Sequence, residues 1–445
     1  MSRPTQVRWN ILALLVALSF VAYLLRTNMS VAGQRMMGDL GLSHMQLGWV
    51  LAAFAWGYAL FQLPGGLLGE WQGGRKALTL IALFWGVLNL LVALVPDSSA
   101  MGPLVIISAL AILRFLMGAA QAPLFPVLGG HTIARWFPVS GWALPNALTN
   151  AGLTLGAAAT GPLIAWLILS FGWRGSFALT APLAFLIAAA WWWYGRDDPA
   201  QHGAVNREEI SLIDVDRPRS EAVTNGRGAW KVVLRSREVV LITASYFLSN
   251  YVFYFFFNWL YIYLVEVRRF QELQGGLLAA APWVTGAIAA TLGGWACDGL
   301  TRRRGIRVGA RVVIMVGLLV SGGFILAAAT ASGPYLAVIY LSLCLGGQQF
   351  TDSAYWAAAI SVGGRHSPAA CGVMNTGGNV VGGIVALLVP LTARTLGWPV
   401  ALATASLFAF IGGVLWVWIR ADRPIDEALG HAPALAGSPA PVAVS

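Results

Sequence analysis

Long apolar segments dominate this chain and narrow its possible folds more than any other feature. A membrane-spanning helix needs ~20 mostly apolar residues. The stretches that meet this requirement lie at about 10–32, 46–69, 77–96, 102–128, 143–170, 175–195, 239–265, 273–297, 309–331, 334–360, 368–393 and 398–419. Because 58% of the residues are hydrophobic and only 10% are charged, a water-soluble fold is excluded. The sequence therefore predicts an all-α membrane protein of twelve transmembrane helices.

The 28 lysines and arginines are distributed unequally between alternate loops. With both termini placed in the cytoplasm, five of them fall in outer loops, two fall inside spans, and the remaining twenty-one lie inside. Short cytoplasmic loops of membrane proteins carry an excess of basic residues. This asymmetry predicts that both termini are cytoplasmic. The net charge of +10 is then explained by the orientation of the chain in the lipid bilayer, and no nucleic-acid partner is needed.

The apolar segments fall into two groups separated by a polar stretch. We predict an N-terminal six-helix bundle at 1–195 and a C-terminal six-helix bundle at 239–420. Residues 196–238 show little helical periodicity and are predicted to form a solvated cytoplasmic linker. Residues 421–445, rich in Ala and Pro, are predicted to form a disordered cytoplasmic tail.

Two motifs occur once in each half of the chain. Asn-x-Gly followed by Gly-Trp occupies residues 150–173 and, with the same internal spacing, residues 375–398. Gly-x-x-x-acid with trailing basic residues occupies 66–76 and 294–304. Two matches at equivalent places indicate an internal duplication, which is typical of transporters built from parallel repeats around a central cavity.

The predicted spans contain few residues that could act in catalysis or bind a metal. All three cysteines lie in apolar stretches and all five histidines in connecting or terminal segments, so neither a zinc spacing nor a disulfide framework is available. No intramembrane histidine, carboxylate cluster or nucleophile-elbow motif occurs. These absences disfavour an enzyme, and we predict no metal and no cofactor.

The six-plus-six arrangement with its central linker and its two Gly-x-x-x-acid loops resembles the major facilitator superfamily. The stretch at 48–66, together with Arg114-Phe115 and Phe125-Pro126, narrows the resemblance to the anion:cation symporter family. The resemblance implies a monomeric secondary transporter of a small organic anion, such as a sugar acid or another carboxylate, in a bacterial inner membrane. The alternatives are an uncoupled facilitator or anion exchanger, and a non-transporting sensor of the same fold.

Two arginines lie within spans, Arg26 in the first and Arg114 in the fourth. An arginine near the bilayer centre costs ~2.5–3.5 kcal/mol on insertion scales. Guanidinium groups bind carboxylates bidentately and stay charged at any cellular pH. The pair therefore predicts an anionic substrate. The alternative is that each arginine pairs with a carbonyl or a helix end and only holds the helices together.

Other polar side chains recur every four residues along several spans, so they can share one helix face. We predict that the substrate-binding wall also includes Tyr23, Tyr58, Gln62, Gln121, Asn150, Tyr254, Trp356, Asn375 and Asn379. Such side chains can instead form hydrogen bonds between membrane helices, and both interpretations remain open.

The two Gly-x-x-x-acid loops have a known role in the superfamily. There the acidic residue and its basic neighbours form a conformational latch on the cytoplasmic side. The resemblance assigns this role to Gly66, Glu70, Arg75, Gly294, Asp298 and Arg302. The alternative is a topogenic charge cluster after a helix, and Glu70 replaces the more usual aspartate.

The positions that usually carry protons are not acidic in this chain. In many proton-coupled members an acidic residue precedes the first-span arginine and another lies seven residues after the fourth-span arginine. Here these positions are Leu25 and Gln121, and Gln121 is expected to hold Arg114 in place. Asp352 is the remaining carboxylate within a span. It is predicted to couple transport to a proton, with binding of a cationic group, pairing with a membrane arginine or a structural role as alternatives.

Overall fold

The structure is a computed structural model that describes residues 3–425 except 67, 98–101, 139–140 and 216–228. No strand occurs in this part of the chain. The helices are α1 (Val7–Leu40), α2 (His44–Gly66), α3 (Leu68–Ala93), α4 (Pro103–Gln121), α5 (Ala134–Trp136), α6 (Ala143–Tyr194), α7 (Arg207–Asp214), α8 (Ala229–Arg235), α9 (Arg237–Asn258), α10 (Leu260–Ile262), α11 (Glu272–Arg304), α12 (Ile306–Thr330), α13 (Pro334–Phe350), α14 (Asp352–Gly363), α15 (Ser367–Leu396) and α16 (Trp398–Leu415). Two π-helical segments, Pro126–Ile133 and Tyr263–Val267, follow α4 and α10.

The fold is all-helical, as predicted. Nine helices of the described residues are long and apolar enough to cross a membrane. The repeated Gly-Trp motif marks a break between helical segments in both halves of the chain: Gly172 interrupts α6 with φ 71°, and Gly397 separates α15 from α16 with φ 88°. Glycine adopts this left-handed region without the strain that a Cβ atom would cause.

The helices pack side by side in a defined order. Helix α6 lies along α1 and α3, α2 along α4, α9 along α15 and α16, and α13 along α11 and α12. Between these groups, α6 contacts α11 and α2 contacts α15. The backbones approach closely there, because a Cβ atom on Gly161 would lie 2.4 Å from the Gly276 carbonyl oxygen. Small residues permit such contacts between membrane helices.

The central linker contains more helix than its weak periodicity predicted. It contains α7 and α8, and the side chain of Glu209 in α7 is fully buried. Its carboxylate accepts hydrogen bonds from the backbone amides of Val7 (3.3 Å) and Arg8 (3.1 Å). The first amides of a helix lack intrahelical acceptors, and a negative charge is stabilised there. Residues 196–215 therefore include a short helix with one buried carboxylate, although most of them are at least partly exposed, as expected of a solvated linker. The tail beyond residue 425 lies outside the described residues.

Candidate anion-binding site

Arg26 lies deep within α1 and is 2% exposed. Four aromatic rings surround its guanidinium group within the range of a cation–π interaction. The distances from the guanidinium carbon to the ring centres are 4.5 Å for Phe257, 4.8 Å for Phe54, 4.9 Å for Tyr58 and 5.2 Å for Tyr23. The negative faces of the rings partly compensate a buried positive charge.

Arg114 on α4 lies beside Arg26 and is 3% exposed. Its Nη2 donates a hydrogen bond to the Arg26 carbonyl oxygen at 3.0 Å, and its guanidinium carbon is 4.8 Å from the Phe54 ring centre. Helices α2 and α4 can approach this closely because of Gly118, where a Cβ atom would lie 2.1 Å from the Phe54 carbonyl oxygen.

Each arginine keeps a donor without a partner. The Nε atoms of Arg26 and Arg114 are buried and have no hydrogen-bond acceptor. No carboxylate of the described residues forms an ion pair with either side chain. Since buried charges are normally paired, two unpaired guanidinium groups with free donors form a site suited to an anion. Each guanidinium group also donates a hydrogen bond to a protein oxygen, as expected if the arginines only hold the helices together.

A hydrogen-bond network connects Arg26 to the opposite side of the site. Arg26 Nη2 donates to the Tyr254 hydroxyl (3.1 Å), which donates to Asn379 Oδ1 (2.7 Å). Asn379 Nδ2 in turn donates to Asn375 Oδ1 (3.1 Å) and Gln62 Oε1 (3.4 Å). The structure thus brings together five residues that the sequence placed in the binding wall, from α1, α2, α9 and α15.

Gln121 occupies the site differently from its prediction. Its Nε2 donates to the Ala22 carbonyl oxygen at 2.9 Å, and its Oε1 is buried without a partner. No hydrogen bond to Arg114 is among its contacts in the described part of the chain, so the expectation that it holds Arg114 is wrong. The free amide oxygen is instead an acceptor close to the first span.

Asp352 begins α14, directly after the helix is interrupted at Thr351. It is half-buried and accepts a long hydrogen bond from the Tyr246 hydroxyl (3.5 Å), with Trp356 one turn farther along the same helix. Among the residues described, no arginine pairs with it. The interpretation of Asp352 as the partner of a membrane arginine is therefore wrong for this arrangement. Trp356 accompanies Asp352 rather than the arginine pair.

Asn150 lies apart from these groups. It is exposed on α6, and no hydrogen bond joins its side chain to the arginine network in the part that the structure describes. The structure gives no support for its predicted place beside the arginines.

Among the latch residues whose side chains are described, Arg75, Asp298 and Arg302 form no ion pair with one another. Arg75 donates to the Trp192 carbonyl oxygen (2.9 Å) and stacks on that ring at 4.3 Å. Asp298 and Arg302 are exposed and belong to no ion pair of the described side chains. Gly294 lies in α11 near Ser353, whereas the side chains of Gly66 and Glu70 lie outside the described residues.

Two aromatic residues of the site were missed by the sequence analysis. Phe54 lies one turn before Tyr58 on α2, and Phe257 lies three residues after Tyr254 on α9. Both extend the stripes that predicted Tyr58 and Tyr254. That spacing was the available signal, but aromatic residues are too common in membrane spans to single out without an arginine beside them.

A small cavity of ≈ 30 Å³ lies next to the site, lined in part by Thr27, Ser30 and Thr160. The Ser30 hydroxyl is buried without a partner. A single water needs ~10–15 Å³ of such space, so this cavity holds waters but not a sugar acid. Binding of a larger anion here requires the surrounding helices to move apart.

The fold and these residues agree with what known proteins show. The family model of the Major Facilitator Superfamily matches residues 15–386, and the chain belongs to this superfamily. It is a multi-pass membrane transporter, which confirms the prediction of a carrier rather than an enzyme.

Individual relatives narrow the comparison to organic-anion carriers, as predicted. "Probable galactarate/D-glucarate transporter GudP" of Bacillus subtilis (strain 168) is 31% identical over 392 residues, 85% of this chain and 84% of the relative. "Probable sulfoacetate transporter SauU" of Cupriavidus necator is 29% identical over 383 residues, 86% of both chains. The crystal structure of a D-xylose-proton symporter shares the fold with a TM-score of 0.73 and 10% identity, covering 93% of this chain and 98% of that one.

Proposed function

We propose that this transporter carries a small organic anion, a sugar acid or another carboxylate, across a bacterial inner membrane by alternating access. The observation that carries the proposal is the pair of buried guanidinium groups with unpaired Nε donors and no carboxylate partner in the described residues. The relatives named for galactarate, D-glucarate and sulfoacetate support it, because all three molecules are anions at neutral pH.

We infer that the chain crosses the membrane twelve times. Helix α6 has 52 residues, and at 1.5 Å per residue it is more than twice as long as the ~30 Å hydrocarbon core is thick. Its interruption at Gly172 therefore supports two spans. Helix α2, and α13 continued by α14, supply two further apolar segments beside the nine long apolar helices of the described chain.

We further infer that the spans form two six-helix bundles whose termini lie on the cytoplasmic side. At the start of α1, the Thr5 backbone amide donates to Asn206 of the linker (3.2 Å). After the last helix, the Arg420 amide donates to Glu238 in the first turn of α9 (2.8 Å). The segment before α1 and the segment after α16 thus lie beside the two ends of the linker, which supports a common side for all three.

Proton coupling through Asp352 is the finer part of the proposal. Asp352 lies within a predicted span, has no cationic partner in the described residues, and accepts a hydrogen bond from the neutral Tyr246 hydroxyl. A carboxylate in this setting can exist in either protonation state as the helices move. The protein acts without a cofactor and as a monomer in this proposal.

Purified protein in liposomes tests the proposal with a panel of labelled sugar acids and simple carboxylates. Accumulation driven by an inward proton gradient supports symport, with a sodium gradient at constant pH as the control. Equilibration without accumulation indicates a facilitator, uptake only into preloaded liposomes indicates an exchanger, and binding without flux indicates a sensor. Failure to bind or move any acid would contradict an organic-anion carrier.

A further inference from the structure

The two buried arginines share one aromatic ring. The guanidinium carbons of Arg26 and Arg114 each lie 4.8 Å from the centre of the Phe54 ring. Phe54 itself is 3% exposed, and the glycine contact at Gly118 fixes α2 against α4 at this level. Both positive charges therefore lie against the same buried ring.

These two charges lack a counter-ion within the protein. The nearby residues Leu25 and Gln121 are neutral, and no described carboxylate pairs with either arginine. Two like charges in a medium of low dielectric constant repel strongly, and aromatic faces compensate them only in part. Two negative charges would balance the site.

We propose that the site recognises dianions, one acid group on each guanidinium, with Phe54 as the positioning residue that sets the distance between the two anchor points. The inference rests on the proposed function and specifies its substrate class. A monoanion supplies one negative charge for two buried positive charges and so leaves one of them uncompensated, which is costly. A dianion pairs both, and each arginine still has a free buried Nε donor for it.

The test compares an aldaric acid with the aldonic acid of the same carbon chain, which differ by one terminal carboxylate. Equilibrium binding to the purified full-length protein is measured for both. Because one charge-assisted hydrogen-bonded pair is at stake, we expect the dianion to bind about 10-fold more tightly or better. Equal affinities in the wild type would overturn the inference.

Substitutions of the two arginines test whether both are needed for the preference for the dianion. Arg26→Gln and Arg114→Gln should each bring the ratio of the two affinities close to one, mainly by weakening the dianion. Arg26→Lys and Arg114→Lys keep the charge and should retain a preference for the dianion at lower affinity, which also controls for misfolding. Full preference in either glutamine variant would show a one-point site and refute the inference.

The role of Phe54 is tested by Phe54→Leu, which keeps an apolar side chain but removes the ring. We expect the preference for the dianion to fall several-fold, since the separation of the cations is no longer fixed. Phe255 is buried in α9 and contacts no guanidinium in the described chain, so Phe255→Leu should leave the ratio unchanged. An unchanged ratio in Phe54→Leu removes Phe54 from the inference. Failure of the wild type to bind either acid would instead refute the proposed function.

Discussion

The two sides of the candidate site use different chemistry. On one side, α1, α2 and α4 contribute two arginines and the aromatic rings that surround them. On the other side, α9 contributes Tyr254, α15 contributes Asn375 and Asn379, and α14 begins with the carboxylate Asp352. Positive charge is thus concentrated on the first side, and neutral hydrogen-bonding groups are concentrated on the second.

This difference separates two tasks. Guanidinium groups only donate hydrogen bonds and stay charged, so they suit a permanent anchor for acid groups. Hydroxyl and amide groups both donate and accept, so they can exchange partners when helices move relative to one another. We infer that the arginine side binds the acid groups of the substrate. The opposite side is inferred to form hydrogen bonds with the hydroxyl groups of the substrate and to couple binding to helix motion.

The largest effect is expected on the arginine side. Arg114→Lys should insert and fold but lose about 100-fold in affinity for the substrate acid, because truncating a buried charged pair costs ~2–5 kcal/mol and a lysine lacks the planar fork. Equilibrium binding measures the loss. Arg174→Lys is the matched control, since Arg174 pairs with Asp97 (2.8 Å) away from the site. Wild-type affinity in Arg114→Lys would identify a purely structural arginine.

The next effect belongs to the opposite side. Asp352→Asn should abolish accumulation driven by a pH gradient and leave substrate counterflow intact, because asparagine keeps the shape but takes up no proton. Uptake into liposomes with and without the gradient measures both. Tyr246→Phe removes the hydrogen bond to Asp352 but not the carboxylate, and should retain accumulation.

Two results would count against this role. Accumulation by Asp352→Asn equal to the wild type would exclude Asp352 as the proton carrier. A wild type that does not respond to a pH gradient would favour uncoupled transport, and then both sides of the site would serve binding alone.

A smaller effect is expected at the end of the molecule that carries the latch. Asp298 is exposed and forms no ion pair among the described residues. The two halves of the chain contact each other elsewhere, at Gly161 and Gly276 where α6 meets α11. We therefore expect the latch to form in another conformation. Asp298→Asn should slow counterflow several-fold with little change in equilibrium affinity, as expected for a partly exposed ion pair. Asp422→Asn, which removes another exposed acid outside the predicted latch, is the control. A large loss of affinity at constant turnover would contradict the latch.

Local features of the sequence predicted much of this molecule. Apolar length predicted the helices, and the limits of the predicted spans left Gly172 and Gly397 between spans, because apolar length acts within a few residues. The period of four placed Tyr254 and Asn379 in a predicted polar wall. The ring shared by both arginines depends on how α2 is rotated against α4, and the burial of Glu209 depends on a contact with Arg8 across 201 residues. Neither the shared ring nor the buried Glu209 can be predicted from a local sequence pattern.

The smallest effect concerns the place where the two sides meet at the start of α2. His44 Nε2 lies 2.7 Å from Glu266 Oε2, and nearby Arg35 pairs with Glu272 at 3.4 Å. The hydrogen bond to Glu266 raises the pKa of His44 above its usual 6.5, and Glu266 is the charged group that faces it. The contact is therefore fully stabilising below the usual pKa and is lost as the pH rises through the raised value.

Equilibrium exchange with equal pH on both sides of the membrane removes any proton gradient and isolates this contact. We expect exchange by the wild type to be a few-fold slower than by His44→Gln at pH below 6.5, because the charged pair stabilises the contact between the two halves of the chain. The modest strength of exposed ion pairs limits the difference. The two rates should converge at alkaline pH. Arg35→Gln is the matched control, since arginine stays charged and its effect should not vary over the same range. A pH-independent difference between wild type and His44→Gln would show that the imidazole acts by packing against Trp259 rather than by its charge, and the opening of this end would then be independent of protons.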